Sequence, residues 1–261
     1  MPLWHKLNIR YNKTMSQVLI ETSDDDDREK TYQQIPADVK IELIDRLGIR
    51  DLINFSKTNK QNNRLVKNRI MLIRDDLASE GLTPQEIDEL LNDSQHFLDF
   101  VRDDEINKVK MVLKYFPEYT NARDDNDDTA LMIASENNNT DIASLLLRLG
   151  ADPNLQANHG LTALLLASDE GNTALVRILL EKGAKPNIRD SNGDTALIYA
   201  SQGGYTEIVK LLLEYGAHIN KVYDGVSTDA ALEYAKDKGY TDIVDLLLQY
   251  RHNRHLLVTD L

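Results

Sequence analysis

Few side chains in this sequence could carry chemistry, and none belongs to a complete catalytic or metal-binding pattern. The acidic run DDNDD at 124–128 could bind calcium, but it lacks the central glycine and the glutamate at the twelfth position that a calcium loop needs. The histidines of HNRH at 252–255 could ligate a metal, but no third ligand is indicated. There is no phosphate-binding loop and no nucleophile elbow. We therefore expect a protein that is not an enzyme and that holds no metal or cofactor.

The absence of cysteine and the strong negative charge exclude further classes of protein. Without cysteine there is no disulfide, no thiolate nucleophile and no cysteine-ligated zinc. The formal net charge of -13 repels phosphate backbones and anionic membrane surfaces, so we expect no nucleic-acid or membrane partner. No apolar run reaches the roughly 18 residues that a spanning helix needs. We expect a cytoplasmic protein.

The second half of the chain repeats with a period of 33 residues. Three residue types recur at this interval: Thr129, Thr162 and Thr195; Gly150, Gly183 and Gly216; Asn154, Asn187 and Asn220. Each unit predicts two short helices, the first beginning at TAL with threonine as its N-cap and the second carrying a leucine-rich stripe. The glycine that follows predicts a C-terminal cap with positive φ. Because one unit cannot bury its apolar face alone, the units must stack.

The T-A-L-x-x-A core at this period resembles the ankyrin repeat, over roughly residues 100–250. Alanine replaces the family's usual proline after each threonine, and Met132, Leu165 and Ile198 replace its usual histidine. The last unit follows at an offset of 35 instead of 33, and Arg251 replaces its glycine. We expect about five repeats, the outer two divergent. The resemblance implies a stack that holds a protein partner on a concave surface made of first helices and turns.

Two columns of residues are candidates for that surface. The eighth position of successive units holds Ile133, Leu166, Tyr199 and Tyr234, and the fourteenth holds Asn139, Asn172, Tyr205 and Tyr240. The predicted substrate-binding groove consists of Ile133, Leu166, Tyr199, Tyr205, Tyr234 and Tyr240. Tyrosine is enriched in binding hot spots, but packing between repeats with a solvated hydroxyl would explain the same residues. Acidic turn tips at Asp127, Asp128, Asp169 and Asp194 would favour a basic partner.

Ahead of the repeats, QIPADVKIELIDRLGIRDLINFS at 34–56 predicts a helix with more apolar surface than one face needs. Pro36 suits its first turn, and Gly48 ends it. Its apolar arc spans about 240°, against the ~100° stripe of an ordinary surface helix. Such a helix has two neighbours. Both could belong to a small bundle with residues 52–77, or one could be another protein.

The order I-P-A-D-V-x-x-x-L-I-x-x-L-x-x-x-D-L-x-x-x-S-x-x-x-K resembles the F-box. Thr58 and Asn62 stand where that family usually has valine and tryptophan, so the third helix departs from type. The resemblance implies binding to the Skp-type adaptor of cullin–RING ubiquitin ligases, while a separate repeat domain holds the substrate. It assigns adaptor contact to Ile35, Pro36, Val39, Leu43, Ile44, Leu47 and Leu52.

We therefore predict an all-α protein with an N-terminal F-box-like unit and an ankyrin-repeat solenoid of about five repeats. The predicted boundaries are a flexible tail at 1–30, the F-box-like domain at 31–75, a helical bridge at 76–100, ankyrin repeats at 101–250 and a C-terminal tail at 251–261. This architecture also resembles effectors that intracellular bacteria inject to borrow host ligases, which would act in the host cell cytoplasm. The alternative is an ankyrin scaffold or inhibitor with no ubiquitin role.

Overall fold

A computed structural model of the chain describes residues 63–219, 221–223 and 226–259. Apart from one short hairpin, this part of the chain is helical, which confirms the predicted all-α class. The F-box-like motif at 34–60, with all seven residues expected to contact the adaptor, lies outside the described residues. The described chain divides into two compact units. One comprises residues 63–92 with Lys114–Pro117, and the other comprises Asp93–Leu113 and the residues from Glu118 onward.

The first unit contains helices α1 (Asn63–Ser79) and α2 (Pro84–Asn92). The helix start predicted at Thr83 and Pro84 is confirmed as a reciprocal cap. The backbone amide of Glu86 donates to the Thr83 hydroxyl over 3.2 Å, and the amide of Thr83 donates to the Glu86 carboxylate over 2.5 Å. Apolar side chains of both helices and of the loop between them are buried: Ile73, Leu77, Leu82, Ile87 and Leu90.

Five pairs of helices follow in the rest of the described chain. They are α3 (Gln95–Arg102) and α4 (Ile106–Tyr115), α5 (Ala130–Glu136) and α6 (Thr140–Arg148), α7 (Ala163–Asp169) and α8 (Thr173–Glu181), α9 (Ala196–Gly203) and α10 (Thr206–Glu214), and α11 (Ala230–Lys238) and α12 (Thr241–Thr259). The first helices pack in the order α3, α5, α7, α9, α11, and the second helices pack in the order α6, α8, α10, α12. The repeats therefore form two layers of helices, as the period of 33 residues predicted.

The first helices begin where the sequence predicted, but only two of the three expected threonine caps form. The hydroxyl of Thr129 accepts from the Met132 amide over 3.2 Å, and that of Thr162 accepts from the Leu165 amide over 3.3 Å. Thr195 precedes α9 without a side-chain capping bond, so the cap expected there is wrong. The glycines expected to end the second helices do adopt positive φ, at 94° for Gly150, 88° for Gly183 and 85° for Gly216.

The recurring asparagines tie each repeat to the next. The Asn154 side chain accepts from the Lys185 amide over 2.8 Å and donates to the Gly183 carbonyl over 3.1 Å. Asn187 makes the same pair of bonds one repeat later, to His218 and Gly216, over 2.7 Å and 3.0 Å. Because an amide side chain can accept and donate at once, one residue satisfies two backbone groups of the following turn.

Three features of the described fold were not anticipated. The last repeat, which follows at an offset of 35, is preceded by an antiparallel hairpin of β1 (Lys221–Tyr223) and β2 (Val226–Thr228), in which Val222 pairs with Ser227. Helix α3 lies in the stretch expected as a bridge, yet it packs against the first helix of the first full repeat. Helix α12 continues to Thr259, so the segment expected as a C-terminal tail begins inside a helix.

Candidate protein-binding surface

The residues at the eighth repeat position form a row across the first helices. Ile133 lies on α5, Leu166 on α7, Tyr199 on α9 and Tyr234 on α11. We call these four residues the eighth-position row. Because each of these helices packs against the next, the row crosses four neighbouring repeats. Ile133 is buried, with 4% exposed, Leu166 and Tyr199 are half-buried, and Tyr234 is 38% exposed. The accessible aromatic surface therefore lies in the last two repeats.

A buried carboxylate holds Tyr199 in place. The tyrosine hydroxyl donates to Oδ2 of Asp190 over 3.0 Å, and Asp190 is only 8% exposed. Oδ1 of Asp190 accepts from the backbone amides of Asn192 over 2.9 Å and Asp194 over 2.7 Å, so the turn before α9 fixes the carboxylate. Burial, the hydrogen bond to Asp190 and the charges of nearby carboxylates raise the pKa of Tyr199. The hydroxyl therefore stays protonated and remains a donor at neutral pH.

Asp190 was not predicted from the sequence, although the repeat contains a signal for it. Asp124 occupies the same repeat position two units earlier, and its Oδ1 accepts from the amides of Asn126 over 2.9 Å and Asp128 over 3.0 Å. Ala157 stands at this position in the unit between them, so the recurrence is interrupted. The two carboxylates differ in their other contacts, because Asp124 pairs with Arg102 at 2.6 Å.

The tyrosines at the fourteenth position lie against glycines. A Cβ atom added to Gly171 would stand 2.5 Å from Cε1 of Tyr205, and one added to Gly203 would stand 2.3 Å from Cε2. The ring of Tyr205 therefore fills the space that these two glycines leave. Tyr240 lies in the same way over Gly204, where an added Cβ would be 2.7 Å from Cζ. These contacts favour a packing role between repeats, and contact of either tyrosine with a partner stays a prediction.

The asparagines of the same column also join neighbouring repeats. The Asn139 amide donates to the backbone carbonyl of Val101 over 2.9 Å, and the Asn172 amide donates to the Thr140 hydroxyl over 2.9 Å. The fourteenth position therefore connects repeats through hydrogen bonds in two units and through ring packing in the next two. Of these two columns, the eighth-position row lies on the first helices, whereas Asn139, Asn172 and Tyr205 precede second helices.

Acidic residues precede and follow the residues of the eighth-position row in sequence. Asp128, Asp194 and Asp229 lie just before α5, α9 and α11. Glu136, Asp169 and Asp237 follow the row by three residues, which is one helical turn, and all three are exposed. Asp169 was expected in a turn, but it is the last residue of α7.

These carboxylates influence one another and the row. Burial, followed by the charges of Asp124 and Glu136, raises the pKa of Asp128. The charge of Asp169 is among those that raise the pKa of Tyr199, together with Asp190 and Asp194. Negative charge from two turns and from the ends of α5 and α7 is therefore concentrated beside the eighth-position row.

Within the described ranges, no group of three or more histidine, aspartate and glutamate side chains could hold a metal ion. Nor is any helix in this part of the chain long and apolar enough to cross a membrane. The seven residues predicted to contact an adaptor, from Ile35 to Leu52, lie outside the described residues, so their assignment stays a prediction.

Comparison with known families agrees with the stacked helix pairs. A family model described as ankyrin repeats (3 copies) matches residues 99–190 and 186–260, which together are more than half of the chain. No match was found among curated proteins. The matched region contains α5 to α12, the eighth-position row and the carboxylates beside it. The chain belongs to the ankyrin-repeat family.

Proposed function

We propose that the protein is a non-enzymatic adaptor that binds one protein through its ankyrin stack and a Skp-type subunit through residues 34–60. Ankyrin stacks are protein-interaction scaffolds. The observation that carries the proposal is the eighth-position row, in which Tyr199 is fixed by Asp190 beside the more exposed Tyr234. A tyrosine that is already ordered loses little side-chain entropy on binding, which favours its use as an anchor.

The sequence pattern of residues 34–60 supports the second half of the proposal. Seven apolar or proline residues stand at the spacing of an F-box: Ile35, Pro36, Val39, Leu43, Ile44, Leu47 and Leu52. The helix they predict has apolar surface beyond what one neighbour would cover. A protein interface of standard size would bury about 800 Å² of it and of the surrounding surface.

In this role the chain brings the bound partner close to the ligase, and other subunits of the ligase catalyse ubiquitin transfer. A chain with no cysteine cannot carry a ubiquitin thioester or build a cysteine-rich zinc RING. Holding the partner and the ligase together raises the effective concentration of one for the other. If the chain is an injected effector, as its architecture suggests, it would borrow a host cullin–RING ligase in the host cytoplasm.

Complex formation with a purified Skp-type adaptor tests this function. Leu52→Asp would place an unpaired charge in the proposed contact and weaken binding by at least about 100-fold. Ile35→Ala/Pro36→Ala would weaken it less. The matched control is Leu149→Asp, because Leu149 is 49% exposed and lies in the repeats.

Size-exclusion chromatography of the mixed proteins gives the readout, and circular dichroism verifies that each variant is folded. We expect the wild type and Leu149→Asp to co-elute with the adaptor, whereas Leu52→Asp elutes alone. If the wild type forms no complex, or if Leu52→Asp binds as well as the control, the F-box half of the proposal is wrong. The ankyrin scaffold without a ubiquitin role would then stand.

A further inference from the structure

We propose that the eighth-position row and the carboxylates beside it bind an extended, arginine-containing segment of the partner. This inference rests on the proposed function, because it assumes that the partner binds the face of the first helices. It adds the chemistry of the partner: arginine side chains over α5 and α7, and apolar side chains against Tyr199 and Tyr234.

Charge is distributed unevenly along the face of the first helices. Glu136 ends α5 and Asp169 ends α7, and neither has an ion-pair partner among the residues that the structure describes. The last turn of α11 also contains a carboxylate, Asp237, but Lys236 and Lys238 stand on either side of it in sequence. A basic segment would therefore be attracted more strongly to the first two of these repeats than to the end of the last one.

The stability of the helices does not explain these carboxylates. The C-terminal end of a helix carries partial negative charge, so Glu136 and Asp169 occupy positions that disfavour an acidic side chain. Burial and neighbouring carboxylates also raise the pKa of Asp128, which means that its charged form is disfavoured in the folded protein. A role in binding would explain why acidic residues occupy positions that cost the folded protein stability.

Arginine suits this surface better than lysine does. A guanidinium group donates to a carboxylate through two parallel hydrogen bonds and also stacks on aromatic faces, and this face offers both kinds of partner. The half-buried Tyr199 provides a ring one repeat beyond Asp169, and Tyr234, 38% exposed, lies one repeat further on. Leu166, half-buried on α7, lies between the acidic and the aromatic ends of the row.

The number of repeats sets the length of the segment. Packed helices lie about 8–10 Å apart, so the three steps from α5 to α11 cover about 27 Å. An extended chain advances about 3.3 Å per residue, so about eight residues would follow the whole row.

Fluorescence anisotropy with a designed peptide tests the inference on the full chain. The probe is a fluorescein-labelled peptide of about ten residues, in which one half alternates arginine with serine and the other half alternates leucine with serine. It is made with the two halves in either order. Matched peptides carry lysine or glutamate in place of every arginine. We expect the arginine peptide in one order to bind most tightly, the lysine peptide less tightly, and the glutamate peptide not at all.

Two pairs of variants separate this surface from the overall charge of the chain. Glu136→Gln/Asp169→Asn should weaken binding of the arginine peptide about fivefold, while Glu181→Gln/Asp245→Asn, on exposed residues of second helices, should leave it unchanged. Tyr234→Ala should weaken binding about fivefold to tenfold. Tyr215→Ala is its control, because Tyr215 is 43% exposed at the end of α10.

Several results would overturn the inference. The first is that the arginine peptide does not bind the wild type, and the second is that the glutamate peptide binds as tightly as the arginine peptide. The third such result is that Glu136→Gln/Asp169→Asn and Glu181→Gln/Asp245→Asn weaken binding of the arginine peptide equally. A melting temperature lowered by Glu136→Gln/Asp169→Asn would also contradict it, because the carboxylates would then serve the fold. If the peptide fails to bind while the Skp-type adaptor still co-elutes, this inference is refuted and the proposed function stands. If the peptide binds and the adaptor does not, only the F-box half is refuted.

Discussion

Replacing Gly203 by alanine should destabilise the stack, although the same change inside a helix is ordinarily favourable. Gly203 is the last residue of α9 and its φ is not positive, so alanine alone would favour the helix by about 0.5–1 kcal/mol. The new Cβ, however, would lie 2.3 Å from Cε2 and 2.7 Å from Cδ2 of Tyr205. Carbon atoms in contact are about 3.5–4.0 Å apart, so the ring must leave its place between Gly171 and Gly203.

The loss of that ring contact determines how much free energy of unfolding the Gly203→Ala variant loses. If about 100 Å² of the half-buried ring lies against the repeats, its displacement costs about 2.5 kcal/mol. After the helix preference is subtracted, Gly203→Ala should cost about 1.5–2 kcal/mol and lower the melting temperature by about 3–8 °C. In a Tyr205→Ala background no ring opposes the new methyl group. The same Gly203→Ala change should then be neutral or stabilising by up to about 1 kcal/mol.

Thermal and urea unfolding of the four proteins in this cycle give the coupling free energy between the two positions. Gly183→Ala is the control, since Gly183 has φ of 88° and an added Cβ would meet nothing within 4 Å. Gly183→Ala should lower the free energy of unfolding by about 1 kcal/mol, because alanine disfavours positive φ, and by the same amount in the wild type and in Tyr205→Ala. If Gly203→Ala stabilises the wild type, or has the same effect with and without Tyr205, the ring does not occupy the glycine site and the packing role is refuted.

Three further changes test other contacts. Asn172→Ala removes both the amide that donates to Thr140 and the oxygen that caps α8 by accepting from the Leu175 amide. It should lower the free energy of unfolding by about 1–2 kcal/mol in urea titrations, whereas an unchanged value would mean that neither bond contributes. Tyr199→Phe removes one donor to the buried Asp190 and should cost about 1 kcal/mol, and an unaltered melting curve would refute that contact. Folding raises the pKa of Asp128, so the charged form disfavours the folded state, and Asp128→Asn should raise the melting temperature at pH 7. That gain should shrink as the pH falls through the raised pKa, because protonation stabilises the wild type there, and a gain that is constant with pH would contradict the assignment.

The sequence predicted those parts of the fold that depend on one repeat and its immediate neighbours. Helix starts at TAL and glycines with positive φ are local requirements, and they recur at the expected positions. The missing cap at Thr195 shows where local reasoning fails. Thr195 did not form the capping bond that its two counterparts form, because the Ile198 amide, which stands where they have their donors, donates to the Thr195 backbone carbonyl over 2.9 Å.

The candidate site could be predicted only in part, because its residues act across repeats. Spacing placed Tyr199 and Tyr205 together as groove candidates, since each occupies a fixed position of the repeat. Whether a ring is exposed or fills the space left by a glycine depends on the neighbouring repeat, which spacing alone does not reveal. The partner of Tyr199, Asp190, was missed because Ala157 interrupts its recurrence. The hairpin before the last repeat had a visible signal, the offset of 35 residues, but its strands were not deduced.

The most direct test of the adaptor function is whether one molecule of this chain holds both partners at once. Analytical ultracentrifugation of the chain with a purified Skp-type adaptor and the labelled arginine peptide can follow the peptide by its absorbance. We predict that the label sediments with a complex containing both proteins, and that Leu52→Asp removes the adaptor from that complex but leaves the peptide bound. Separate complexes that never combine, or no complex with the Skp-type adaptor at all, would contradict the adaptor function.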